Sequence, residues 1–391
     1  MNAQNMQQPA TNRHGSSHWL ADHVAAIGNQ PQSAIAPIDP ATVGPLLSGI
    51  DLWDLWPLQL ASGALADIGG WTLWMVLSAP RLADPEERHG IARIRLMAER
   101  GGVWRDCGNA LPDTLSPGSR EWAGSALYDP ASQRVTLFYT VAGYRNEPAL
   151  TYAQRMFQTS GTVRLDGELP RIDAWTAPVE SFQSDDDQYV LANQREGKAG
   201  FIKGFRDPAY FRDPATGGEY LLFTGSLKRS VSTHNGVIGI ARATAAGLES
   251  WQLLPPLIIA DGLNNELERP HIVFAQGRYF LFWSTQQRVF APGGPSGPTG
   301  LYAMVAPALM GPYAPVNGTG LVAANPQEAP YQGYSWWVTN ELEVAGFVDL
   351  AGVGAQELAD DPAWRRAHFG GVPAPRFRLA INGDAICICA D

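Results

Sequence analysis

Four times along this chain, a polar residue in a short strand-like run is followed by a tight turn and then by a strand rich in aromatic and branched residues. Asp54 precedes the strand that begins at Trp71. Trp122 and Ser125 precede the hairpin Asp129–Gln133 and the strand Val135–Tyr139. Asp207 precedes the turn Asp213–Gly218 and Tyr220-Leu221-Leu222-Phe223. Glu268 precedes the turn Ala275–Gly277 and Tyr279-Phe280-Leu281-Phe282. Apolar runs of this length bounded by Gly, Pro, Asp and Asn are strand-and-turn chemistry. A spacing of roughly 60–85 residues between units fits propeller blades with insertions. The first strand of each blade lines the central channel, so a propeller brings Asp54, Asp207 and Glu268 to one end of it. An open sandwich scatters them.

Further strands are expected at Trp71–Ser78, Ile91–Met97, Arg134–Ala142, Val237–Ala241, Leu301–Val305 and Tyr334–Val338. Long amphipathic helices are scarce, 355–368 being the best candidate. No linker-like shift in composition divides the chain, so 46–391 reads as one β domain. Residues 1–45 read as an extension, disordered to about residue 15, with a short helix over 17–28 outside the main fold. No basic start leads into an apolar core, so no secretory signal is recognised, and a cytoplasmic location or export without a cleavable leader both stay open. No run approaches the roughly 18 apolar residues of a membrane helix.

A net charge of −10 argues against nucleic acid or an anionic membrane as partner and fits a neutral small molecule. The 13 tryptophans exceed what a core usually needs, and aromatic faces suit sugar rings. Three cysteines cannot build a disulfide framework; Cys387 and Cys389 share one face of a terminal strand, taken as core-facing. The seven histidines show no metal spacing, and His271 is expected to pack behind Glu268. The run Asp185-Asp186-Asp187 reads as a solvated loop, so no metal or cofactor is expected. No phosphate loop or nucleophile-elbow serine is found.

The acids have distinctive surroundings. In Asp51-Leu52-Trp53-Asp54-Leu55-Trp56-Pro57-Leu58-Gln59, carboxylates lie among tryptophans, which is costly unless they are hydrogen-bonded or used. Arg206 beside Asp207 keeps that carboxylate ionised. The second copy, Phe211–Pro214, falls in a hairpin turn. Glu266 and Glu268 lie on one face of a strand, where like charges raise the proton affinity of one member, as an acid catalyst requires.

The motifs Trp53-Asp54-Leu55-Trp56-Pro57-Leu58-Gln59, Glu121-Trp122-Ala123-Gly124-Ser125, Phe205-Arg206-Asp207-Pro208, Glu266-Leu267-Glu268-Arg269-Pro270 and Gly333-Tyr334-Ser335 resemble, in order, those of levansucrases and related β-fructofuranosidases, glycoside hydrolase family 68. The resemblance spans about residues 48–350. It implies an all-β, five-bladed β-propeller with a funnel-shaped central pocket that cleaves sucrose with retention. By position, it implies Asp54 as nucleophile, Glu268 as general acid/base and Asp207 as transition-state stabiliser. Trp53, Trp122, Arg206, Glu266 and Tyr334 are implied to shape the sucrose pocket, and Gln286 to meet the acceptor sugar. Ala123 stands where the family usually has serine, and Gln286 where levansucrases usually have arginine or histidine. Asn265 replaces an aspartate that binds calcium in Gram-positive relatives, so no such metal is expected. The neutral Gln286 tips the expectation towards hydrolysis and short fructo-oligosaccharides. Two alternatives stay open: a propeller glycosidase acting on another furanoside, and a sugar-binding propeller without catalysis.

Overall fold

A computed structural model describes residues 15–28, 33–192, 203–245, 247–355 and 358–389. The chain begins with β1 (Ser17–His18) and helix α1 (Ala21–Ala25), then runs through consecutive antiparallel units. The first is β2 (Ile50–Gln59), β3 (Thr72–Pro80), β4 (Arg93–Arg100) and β5 (Val103–Asn109). The second is β6 (Arg120–Asp129), β7 (Arg134–Ala142) and β8 (Gln154–Asp166), with β9 (Leu169–Asp173) and β10 (Val179–Phe182) both pairing with β8. The third is β11 (Phe205–Arg212), β12 (Glu219–Ser226), β13 (Gly236–Ala243) and β14 (Trp251–Ile259). The fourth is β15 (Glu268–Ala275), β16 (Arg278–Thr285) and β17 (Gly300–Ala306), with β18 (Ala314–Pro315) and β19 (Leu321–Ala324) both on β17. The fifth is β20 (Gly333–Val338), β21 (Glu343–Leu350), β22 (Phe369–Pro373), β23 (Phe377–Asn382) and β24 (Ala385–Ile388), with helix α2 (Pro362–His368) between β21 and β22.

The first two units share a sheet only through a short parallel seam, Leu58 opposite Ala126 and Gln59 opposite Leu127. The inner strands neighbour one another in the cyclic order β2, β6, β11, β15, β20 and back to β2. That closed ring is a β-propeller. The strands expected from the sequence are present within three residues of their ends, the largest offset being Ile91–Met97, observed as Arg93–Arg100.

Each inner strand breaks register once: between Trp53 and Leu55, Trp122 and Gly124, Arg206 and Ala209, Glu268 and His271, and Tyr334 and Trp337. A bulge re-aims the side chain it carries. Asp54, Asp207, Arg269 and Ser335 adopt φ of 22°, 61°, 54° and 59° at these points. Pro208 and Pro270 follow two of them, placed where the ladder is already interrupted and no N–H is needed. At the second bulge Gly124 is obligatory, because a Cβ there would lie 1.9 Å from the Phe138 carbonyl oxygen.

Three expectations need correction. The segment 17–28 does contain a short helix, but it belongs to the fold. Ser17 and His18 pair with Ile258 and Ile259, and Trp19 is buried against Trp283, Phe290 and Tyr302. Its indole Nε1 donates to the Thr319 carbonyl at 3.0 Å. The expected disorder before residue 15 lies outside the described residues. The helix expected over 355–368 is only Pro362–His368, because Asp361 caps it by accepting from the Trp364 N–H at 2.7 Å and proline stands at its first position. Cys387 and Cys389 do share a face, but it is the exposed one, and Ile386 points to the core.

Candidate active site

The bulges gather the acids on the channel. Asp207 is held by its backbone N–H, which donates to Thr140 Oγ1 at 2.9 Å, and by Thr224 Oγ1, which donates to its Oδ2 at 3.0 Å. Glu268 receives Arg206 Nη2 at 2.7 Å on one oxygen and the Tyr334 hydroxyl on the other. Arg206 also lies 3.5 Å from Glu266 and 3.6 Å from Asp207. Asp54 feels the charges of Arg269, Glu268 and Arg88. It also acts on Asp207, so the three acids form one electrostatic unit.

Two arginines, Arg206 and Arg269, face four carboxyl groups here, and the surplus negative charge has consequences. Burial pushes the Asp207 carboxyl up to about 6, opposed by Arg206 and reinforced by Glu268. Burial raises Glu266 to about 7, reinforced by Glu268 and opposed by Arg206. Burial raises Asp54 as well, with Arg269 and Ser335 pulling it back. Burial would lower Arg206, but Glu266, Glu268 and Asp207 hold it above its ordinary value. The member of the glutamate pair whose proton affinity rises is Glu266, the one not assigned as the acid, and burial outweighs its like-charged neighbour as the cause. Glu266 Oε1 is buried, 3.5 Å from Arg206 Nη2, and makes no hydrogen bond among the described residues.

Around this centre, Trp53 meets His89 edge-on at 6.1 Å, and Trp122 Nε1 donates to the His89 carbonyl at 3.2 Å. Both tryptophans therefore brace the turn Pro85–Gly90, where Arg88 lies 5.5 Å from the Trp53 ring. Enclosure, and then Arg88, push the His89 imidazole down to about 3, so it is neutral. Gln286 follows β16 at the cap of the turn Gln287–Val289, and no hydrogen bond joins its side chain to the four acids. The cationic group of that turn is Arg288, whose charge reaches Glu266, His89 and Asp349.

His271 does pack behind Glu268. It stacks on Trp337 at 4.4 Å, its Nε2 accepts from the Val338 N–H at 2.9 Å, and its Nδ1 therefore donates to the Arg269 carbonyl. Asp213, in the second Phe-Arg-Asp-Pro copy, takes the Ala215 N–H at 3.0 Å and the Thr216 hydroxyl at 2.6 Å, as turn chemistry requires. Asp185 accepts backbone N–H groups of its own loop, Asp186 pairs with Lys228 at 2.6 Å and Asp187 pairs with Arg229. Asn265 Oδ1 accepts from the Lys203 ammonium at 3.3 Å, which also donates to Asn235 Oδ1 and the Thr233 carbonyl at 2.6 Å each.

The sequence reading assigned no role to Arg269, Ser335, Thr224, Arg88 or Asp349. Arg269 and Ser335 stood inside quoted motifs, and the Arg-Pro pair echoing Asp207-Pro208 was the available signal. Thr224, Arg88 and Asp349 had none.

A family model described as levansucrase/invertase matches residues 7–237 and 228–389. A levansucrase from Zymomonas mobilis is 32% identical over 359 residues, covering 85% of this chain and 80% of the relative. A levansucrase from Pseudomonas syringae pv. actinidiae is 29% identical over 394 residues, covering 88% of this chain and 86% of the relative. The solved inulosucrase from Halalkalicoccus jeotgali bound to kestose superposes with a TM-score of 0.88 at 37% identity, covering 96% of this chain and 95% of that one.

Proposed function

Because this chain belongs to the levansucrase/invertase family, glycoside hydrolase family 68, we propose that it cleaves sucrose at the three converged carboxyl groups and passes the fructosyl unit to water or a sugar acceptor. Asp54 attacks the anomeric carbon of the fructosyl unit as the bond to the glycosidic oxygen breaks. Glu268 gives its proton to that oxygen, and glucose leaves. The covalent fructosyl-Asp54 ester is then opened by water or an acceptor hydroxyl, whose proton returns to Glu268. Two displacements at one carbon give net retention. Asp207 and Arg206 hold fructosyl hydroxyls as positive charge grows on the ring, and Glu266 Oε1 takes another hydroxyl. Trp53 and Trp122 supply apolar walls, Tyr334 orients Glu268, and five inner strands in cyclic contact support a five-bladed ring.

The observation that carries this reading is the single charge network of Asp54, Asp207 and Glu268 spanning three inner strands. Hydrolysis and short products remain the proposed outcome, since Gln286 brings no charge to the acceptor side. Incubation with sucrose, measuring free glucose and free fructose together, tests both points. Equal release means hydrolysis, a fructose deficit means transfer, and release of neither sinks the reading. Asp54→Asn should abolish turnover while sucrose binding stays measurable, and surviving turnover removes the nucleophile assignment.

A further inference from the structure

We infer that Thr224 is the positioning residue of Asp207: its hydroxyl ties down one carboxylate oxygen and leaves the other to the fructosyl unit. The role rests on Asp207 being the transition-state stabiliser of the reading above. Thr224 Oγ1 lies 3.2 Å from the backbone nitrogen of Arg269 and 3.0 Å from Asp207 Oδ2. A backbone N–H only donates, so Oγ1 accepts there and its single proton is left for Asp207. The contact therefore runs in one direction, from threonine to carboxylate. Oδ2 is also the oxygen 3.6 Å from Arg206 Nε, whereas Oδ1 makes no hydrogen bond among the described residues.

The strand that carries Asp207 cannot hold it alone. Asp207 stands at the register break of β11 with φ 61°, so the ladder does not pair it. Thr224 lies on β12 opposite Arg206, the last paired residue before the break. A second threonine, Thr140 on β7, accepts the Asp207 N–H at 2.9 Å and gives its own proton to the Ala123 carbonyl at 3.0 Å. Thr140 thus places the backbone of Asp207, and Thr224 places its carboxylate before any sugar arrives. Both threonines are fully enclosed, so water does not compete for either proton.

The two branches of Thr224 do different things. Its methyl packs over Gly204, where an added Cβ would lie 2.9 Å from Thr224 Cγ2. Its hydroxyl joins Asp207 to the backbone of the residue after Glu268. Packing and aiming are therefore separable by substitution.

Thr224→Val keeps the branched shape and removes the hydroxyl, whereas Thr224→Ser keeps the hydroxyl and removes the methyl. The kcat of Thr224→Val on sucrose should fall about ten- to hundredfold, the loss of a hydrogen bond to a charged group, with KM little changed. Thr224→Ser should stay within about threefold of wild type. A threonine that merely packs predicts the reverse order, because the methyl is what serine lacks. The valine variant also strips the Arg269 N–H of its acceptor, beside Glu268, so a second substrate separates the two acids. para-Nitrophenyl β-D-fructofuranoside expels a phenolate that needs little protonation from Glu268. Harm to Asp207 should lower kcat/KM by the same factor on both substrates, whereas harm to Glu268 spares the aryl fructoside. If the valine variant does not fold, Thr224→Cys, whose thiol is a weak donor, makes the same comparison. Unchanged kcat in the valine variant, an equal fall in the serine variant, or a loss confined to sucrose overturns the role. Wild-type protein that releases no glucose from sucrose overturns the functional reading instead, so the two failures are distinguishable.

Discussion

Tyr334 and Arg206 approach Glu268 from different strands and take one carboxylate oxygen each. Both donate, so the side chain has little freedom to swing, and its orientation is set before any sugar arrives. Tyr334 is buried, which by itself pushes its phenol well above the ordinary value, and Glu268 adds to the shift. The phenol therefore keeps its proton and is a dependable hydrogen-bond donor to the carboxylate. Tyr334→Phe keeps the ring and its edge contact with Trp336 at 5.9 Å but removes that donor. A hydrogen bond to a charged group contributes about 1.5–3 kcal/mol, so kcat/KM for sucrose should fall about ten- to hundredfold. The unfolding midpoint should change little. Unaltered steady-state kinetics in this variant would show that Arg206 alone orients Glu268.

At the scale of elements, the recurring device is the broken inner strand. Four non-glycine residues hold positive φ at these breaks, a conformation that costs of order 1–3 kcal/mol each and persists where the surrounding ladder enforces it. Prolines 208 and 270 made two of the breaks visible in the sequence. The break at Asp54 has no such marker, because Pro57 stands in the ladder three residues later, opposite Trp74. The N-terminal segment is the contrasting case. Its polar, proline-dotted composition hides Trp19, whose large side chain packs into the fourth unit while the backbone beside it pairs with the third. Trp19→Ala should lower stability by about 3–5 kcal/mol, read as a shift in the denaturant unfolding midpoint. A loss below about 1 kcal/mol would mean that the segment merely rests on the surface.

For the whole molecule, ring closure buries like-charged carboxyl groups together on one axis, and stability bears the cost. Asp207 and Glu266 have values near 6 and 7 in the folded chain, above their ordinary 3.8 and 4.5. The native state therefore binds these protons more tightly than the unfolded chain does. The stability they contribute is fully present below about pH 4 and is lost as pH rises through 6 to 7. The unfolding midpoint should accordingly fall between pH 5 and pH 8. Glu266→Gln should narrow that fall and leave the variant more stable than wild type at pH 8, though impaired with sucrose. An equal fall in both proteins would place the strain elsewhere. The sequence alone determined the alternation of short strands and turns, the hairpin at Asp213, and the three acids in their motifs. These depend on neighbours a few residues apart, whose periodicity and turn chemistry are local. Only the tertiary structure decided that Arg269 reaches Leu55 across 214 residues, that it also reaches Ser335, that Trp19 is core and that Cys387 faces water. Those outcomes follow from which strands the closed ring makes adjacent, and a local pattern carries no record of what will stand opposite it.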